Sequence, residues 1–299
     1  MTQQQRAEID RLMRAARLDT SLPPEELREI FEIYTTVGPP PAGVTLKDST
    51  LGGRPALEIA PDEAGVDATI LYFHGGGWVY GTPRTAATLT AALVRHVGAP
   101  AVAPAYRLAP EHPFPAAIED GLAAYRALLE DGAAPERIVV AGDSSGGGLT
   151  VAVLLRARDE GLPLPACALL FSAGLDATRS GASMDEKESV DPLFDRENLA
   201  RLSAHYLADA DPRQPLVSPA VVGDLAGLPP TLLQVGSNEV LLDDSTRFAT
   251  RAAAAGVEVV LEVTPDVPHV FQSLHAYLDE AVDALDRAAD FVRRHLPEK

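Results

Sequence analysis

The chain has 299 residues, 46% of them hydrophobic, and 43 acidic against 25 basic residues give it a net charge of −18. That length buries a core large enough for one α/β domain or a domain with a small lid, and makes two equal domains the poorer reading. The negative charge repels the phosphates of nucleic acid and anionic lipid headgroups, so neither is expected as a partner.

The opening MTQQQRAEIDRLMRA is polar and lacks the apolar core of a signal peptide, and no apolar run approaches about 18 residues, so a soluble cytoplasmic protein is expected. Residues 4–36 predict two helices interrupted at Leu22-Pro23-Pro24. The second places Leu27, Ile30, Phe31 and Tyr34 on one side, a face that needs a packing partner. A stiff GPPPAG linker at 38–43 follows. Then VTLKDSTL and PALEIAP predict an antiparallel hairpin through Gly52-Gly53. Next, Thr69 to Phe73 reads as a buried strand that leaves through His74-Gly75-Gly76-Gly77-Trp78. Consecutive glycines let backbone N–H groups face a cavity with no side chain in the way, which is what an oxyanion hole requires. A helix PRTAATLTAALVRHVG follows, and the absence of GxxxxGK[ST] and GxGxxG sets nucleotide loops aside. After the strand AVAPAY, the prolines of YRLAPEHPFP fix a loop that cannot join a sheet ladder. Arg107, Glu111 and Asp120 read as structural charges, and a helix is expected from Ala116 to Leu129.

The stretch Ile138 to Thr150, IVVAGDSSGGGLT, organises the rest. Strand-like residues run into Gly142-Asp143-Ser144-Ser145-Gly146 and an apolar helix follows at once, the context of a GxSxG nucleophile elbow. Ser144 is the expected nucleophile. Glycine is required two residues before and after it because a Cβ there would strike neighbouring backbone. Beyond the elbow, CALLFSAGL is another buried strand whose single cysteine, Cys167, reads as a core residue rather than a reactive thiol. Residues 176–215 then turn polar and carry the helix-like ENLARLSAHYLADA. An insertion of about 40 residues is too long for a crossover loop and reads as a lid. Residues 1–40 with 177–215 are expected to form a helical cap, and 41–176 with 216–299 the catalytic domain. The strands TLLQVG and EVVLEV, the helix DSTRFATRAAAAG and a C-terminal helix from Ala276 complete an α/β pattern of about eight mostly parallel strands.

A serine hydroxyl needs a histidine to take its proton and an acid to orient that histidine. Of the seven histidines, His269 is placed for this: it follows the serine and stands in the loop directly after the last strand. Three carboxylates compete for the acid. Glu239 falls just beyond the end of TLLQVG, whereas Asp243 and Asp244 open the next helix, where capping and the macrodipole already account for them. Glu239 is the expected acid.

Together HGGGW, YRLAPEHPFPAA, GDSSGG, DPLF and PHVF resemble the hormone-sensitive-lipase-like esterases, bacterial family IV of the α/β-hydrolase superfamily, over essentially the whole chain. The resemblance implies an α/β-hydrolase fold with a helical cap and a carboxylesterase acting on short- to medium-chain esters. It further implies Gly75, Gly76 and Ser145 as oxyanion-hole donors, with no cofactor and no metal. Trp78 replaces the family's frequent phenylalanine and reshapes the pocket, in which His205 of the lid is also expected. Asn238-Glu239-Val240-Leu241 stands where the family usually has an aspartate before Pro-Leu. The expected partner is a small ester, and a homodimer is compatible with the reading. The rivals are an amidase or peptidase on the same triad, and a non-catalytic small-molecule receptor such as the plant gibberellin receptors, which look like relatives that lost the histidine. Retention of both Ser144 and His269 argues against a receptor.

Overall fold

Apolar runs too continuous for a half-exposed strand form the middle of one sheet. The computed structural model describes residues 3–36, 42–63 and 65–298; the linker expected at 38–43 lies, except for residues 42 and 43, outside the described residues. The strands are β1 (Val44–Leu51), β2 (Arg54–Pro61), β3 (Thr69–Phe73), β4 (Ala101–Pro104), β5 (Ile138–Asp143), β6 (Cys167–Phe171), β7 (Thr231–Gly236) and β8 (Val259–Thr264). They pair in the order β1-β2-β4-β3-β5-β6-β7-β8. The β1–β2 hairpin and the β2–β4 pair are antiparallel, and every other pair is parallel.

The helices are α1 (Gln3–Ala15), α2 (Pro24–Thr36), α3 (Ala87–Val97), α4 (Ala116–Glu130), α5 (Ser145–Asp159), α6 (Ser183–Glu186), α7 (Arg196–Leu207), α8 (Pro219–Val222), α9 (Leu242–Ala254) and α10 (Asp279–His295). Successive strand residues point to opposite faces. Ile70, Val139 and Leu169 therefore join Leu93 of α3 and Phe291 of α10 in one core. Leu71, Val140 and Leu170 join Leu122 of α4, Val153 of α5 and Phe248 of α9 in the other. Two covered faces explain why the central strands read as unbroken apolar runs.

Two helices start later than the sequence suggests. Ahead of α3, the Thr82 amide donates to Thr85 Oγ1 (2.9 Å) and the Thr85 amide to Thr82 Oγ1 (3.2 Å). These local bonds hold residues 82–85 as a turn, in competition with a helix. At the other end residues 275–277 form a turn, and α10 begins at Asp279 rather than at Ala276.

Arg28 anchors α2 to the body: its Nε donates to the Val79 carbonyl (2.9 Å), and its Nη2 to the Ala109 carbonyl (2.8 Å) and Glu111 (2.6 Å). The Arg28 hydrogen bond pushes the Glu111 carboxyl down to about 2. Arg107 likewise pairs with Asp120 through its amide (2.8 Å) and Nε (3.0 Å), so these charges hold loops in place. The N-terminal segment also meets the 177–215 insertion. Arg17 bonds Asp195 and Asn198, and Arg14 donates to the Val190 carbonyl at 3.2 Å.

Candidate active site

β5 ends in the elbow. Ser144 adopts φ 52°, ψ −122°, a region that a non-glycine residue occupies only at a cost of order 1–3 kcal/mol. A Cβ on Gly142 would sit 2.3 Å from the Gly146 carbonyl oxygen, and one on Gly146 would sit 2.0 Å from that of Phe73. Both glycines are thus forced by backbone crossing backbone. The Ser144 carbonyl accepts from the Gly147 (3.0 Å) and Gly174 (3.0 Å) amides, while its own amide donates to Phe171 (2.8 Å). With the main chain fixed, the hydroxyl is presented to the cavity above the sheet.

His269 and Glu239 come from the loops after β8 and β7. His269 Nδ1 lies 2.8 Å from Glu239 Oε2, and the two side chains are 5% and 0% exposed. Asp243 and Asp244 face elsewhere: Asp243 accepts from the Ser183 amide (3.0 Å), and Asp244 from the amides of Leu175 (2.7 Å) and Asp176 (2.8 Å). Burial works to lower the His269 pKa, but the charge and hydrogen bond of Glu239, reinforced by Asp191 and Asp143, outweigh it and leave the pKa raised. Nε2 of the same ring is buried with no hydrogen-bond partner among the described residues. His269 and Ser144 line the same cavity.

Three contributors were not singled out from the sequence. Buried Asp191, the first residue of the DPLF motif, accepts from the amides of Val240 (2.9 Å), Leu193 (2.8 Å) and Phe194 (3.0 Å), which ties the insertion to the loop bearing Glu239. Phe194 meets the His269 ring edge to face at 5.1 Å. Ser172 donates to Glu239 Oε1 at 2.7 Å.

The glycine turn lies beside Ser144. Burial raises the Asp143 pKa against the hydrogen bond of Tyr72 Oη (2.8 Å). Gly76 and Gly77 follow Gly75 at φ 122° and 60°. His74 is held neutral, its pKa lowered to about 4 by burial, and it stacks on Tyr106 at 4.2 Å. The cavity has a volume of about 360 Å³ and brings Met13, Phe31 and Tyr34 from the N-terminus and Phe194 from the insertion to Gly75, Gly76 and Ser144. Ser145 is 2% exposed at the start of α5. Trp78 and His205, expected in the pocket, do not line this cavity. Trp78 instead stacks on Tyr206 of α7 at 4.4 Å and 8°, and His205 lies half-buried in the last turn of that helix.

Residues 70–273 match a family model described as the alpha/beta hydrolase fold. The chain is 44% identical over 262 residues to an acetyl-hydrolase of Streptomyces hygroscopicus, covering 88% of this chain and 86% of that protein. It is 36% identical over 272 residues to an esterase of Acinetobacter venetianus, covering 91% and 89%. A crystal structure of an esterase from the bacterial hormone-sensitive lipase family superposes with a TM-score of 0.94 at 37% identity, covering 99% of this chain and all of that one (100%).

Proposed function

The chain belongs to the hormone-sensitive-lipase-like family of α/β-hydrolase esterases and is a carboxylic ester hydrolase, and we propose that it cleaves short- to medium-chain esters through Ser144, His269 and Glu239. The observation that supports this most is the buried 2.8 Å contact between His269 Nδ1 and Glu239 Oε2, with Nε2 left without a partner among the described residues beside the cavity that Ser144 lines. An imidazole bonded to a carboxylate at one nitrogen keeps its proton there and offers the other nitrogen as a base.

In the first step Ser144 Oγ attacks the ester carbonyl as His269 Nε2 takes the hydroxyl proton, and Glu239 stabilises the imidazolium that forms. The oxyanion accepts from the Ser145 amide and from those of Gly75 and Gly76, the two glycines that line the cavity with Ser144. The imidazolium then protonates the departing alkoxide, giving an acyl-Ser144 ester and an alcohol. Water attacks this ester with His269 again as base, and the acid is released.

The N-terminal helices and residues 177–215 act as a cap, since Phe31, Tyr34 and Phe194 form apolar walls of the cavity. A cavity of this volume and the name of the Streptomyces acetyl-hydrolase both favour small acyl groups. A panel of p-nitrophenyl esters from acetate to palmitate, with an amide and a lactone, tests the reading. Turnover should be highest at the short end and negligible on the amide; a preference for palmitate or the amide contradicts it. Deleting residues 1–36 should flatten the chain-length preference and lower solubility, whereas unchanged kinetics would take the N-terminus out of the site.

A further inference from the structure

The two oxygens of Glu239 have different partners. Oε2 faces His269 Nδ1 at 2.8 Å, while Oε1 accepts from Ser172 Oγ at 2.7 Å and from the Gly236 amide at 2.5 Å. Ser172 follows β6 directly, is fully buried and has φ 47°. Its amide donates to the Gln234 carbonyl of β7 (2.8 Å), which fixes its backbone beside the strand that leads to Glu239. Its hydroxyl oxygen also accepts from the Val270 amide at 2.9 Å, the residue immediately after His269.

The direction of these bonds follows from valence. A hydroxyl has one proton to give, and a backbone amide can only donate. Since Val270 N–H donates to Ser172 Oγ, the serine proton is free to go to the acceptor-only carboxylate, and the 2.7 Å contact is where it goes. A single hydroxyl therefore spans the expected acid and the backbone of the expected base, two segments that are also joined by the His269 hydrogen bond and by the Asn238 amide donating to the Val267 carbonyl (3.3 Å).

A glutamate also has one more rotatable side-chain bond than an aspartate, so its carboxylate has more freedom to lose before it can hold an imidazole in one orientation. Two donors on Oε1 remove that freedom and leave Oε2 directed at the ring. From this geometry we infer that Ser172 is a positioning residue of the esterase reaction: it locks the Glu239 carboxylate and the His269-Val270 backbone together, so that Nδ1 stays on Oε2 and Nε2 stays directed at Ser144. The inference rests on the triad reading above.

The test is a kinetic cycle on full-length protein with p-nitrophenyl acetate, using Ser172→Ala, Ser172→Gly, Glu239→Gln and the Ser172→Ala/Glu239→Gln double variant. Glycine is at ease at φ 47°, so Ser172→Gly removes the hydroxyl without adding backbone strain. Both Ser172 variants should lose on the order of 10- to 100-fold in kcat, as do other partners that orient a functional side chain, with KM nearly unchanged. The acid limb of the kcat/KM profile should move to lower pH, because the Glu239 contact that raises the His269 pKa is loosened. In the Glu239→Gln background, Ser172→Ala should cost clearly less than in the wild type, since only its hold on the Val270 amide is left to lose. An acid limb that stays in place, or a full further loss in the double variant, overturns the inference and leaves Ser172 a merely structural residue. If Glu239→Gln itself turns over at the wild-type rate, the triad reading fails and the inference with it. If Glu239→Gln is crippled while Ser172→Ala is unimpaired, only the role of Ser172 is lost.

Discussion

The two ends of the site are built from different materials. At the elbow the constraints are backbone ones: Gly142 and Gly146 lie where a Cβ would be 2.3 and 2.0 Å from a carbonyl oxygen, and Ser144 is held at φ 52° by hydrogen bonds to its main chain. At the acid–base end the constraints are side chains drawn from separate segments: Ser172 after β6, Asp191 and Phe194 in the insertion, Glu239 after β7 and His269 after β8. The first end should therefore be intolerant of added atoms and indifferent to charge. The second should tolerate small changes of volume and respond sharply to charge and hydrogen bonding.

The largest effects are expected at the elbow. Ser144→Ala should lower kcat by about 10⁶-fold while the protein stays folded, the loss seen when a serine triad is deprived of its nucleophile. Gly146→Ala, which adds one methyl group, should fail at an earlier stage. Its Cβ meets the backbone of Phe73, which cannot yield as a side chain can, so little soluble protein is expected in a fractionation assay. A soluble, active Gly146→Ala protein would break the comparison at its first end.

Glu239→Gln comes next, and keeps the volume while removing the charge. It should lower kcat by up to about 10⁴-fold, whereas Asp243→Asn should remain active as long as it folds. The opposite ranking moves the acid to Asp243.

A smaller effect is the position of the acid limb in wild-type enzyme. The protonated imidazole cannot accept the Ser144 proton, so activity falls as pH drops through the His269 pKa, which lies above its ordinary 6.5. A kcat/KM profile whose acid limb lies below 6.5 would mean that the charge of Glu239 does not dominate burial.

The smallest effect concerns stability alone. Burial pushes the Asp244 carboxyl up to about 8, so its folded-state value lies above its unfolded one. The contribution of such a group to stability is present below its unfolded value and lost as pH rises through about 8. Asp244→Asn keeps an acceptor for the Leu175 and Asp176 amides without a charge to bury. Its Tm should exceed that of the wild type at about pH 9, and the gap should close toward about pH 4. A gap that is constant across pH removes Asp244 as the cause.

The same contrast separates what was legible in the sequence from what was not. Glycine states a steric demand within a few residues, so the elbow and the glycine turn could be read along the chain, and the strand endings placed Glu239 and His269 in loops at one edge of the sheet. Ser172 meets its partners across 67 and 98 residues, and a serine after a strand looks like any loop residue until the fold closes. Asp191 stood in a recognised motif, but its role is to hold the Val240 amide 49 residues away. Where Trp78 lies depends on Tyr206 of α7. These are tertiary facts with no local signature.

The central claim is that one serine, made basic-assisted and exposed by the elbow, carries the chemistry. Labelling the full-length protein with a fluorophosphonate, followed by peptide mass spectrometry and a parallel p-nitrophenyl acetate assay, tests it most directly. One adduct per chain is expected, on the peptide bearing Ser144, with activity lost in proportion to labelling and no adduct in Ser144→Ala. Hydrolysis that survives complete labelling of Ser144, or an adduct confined to another residue, would contradict it.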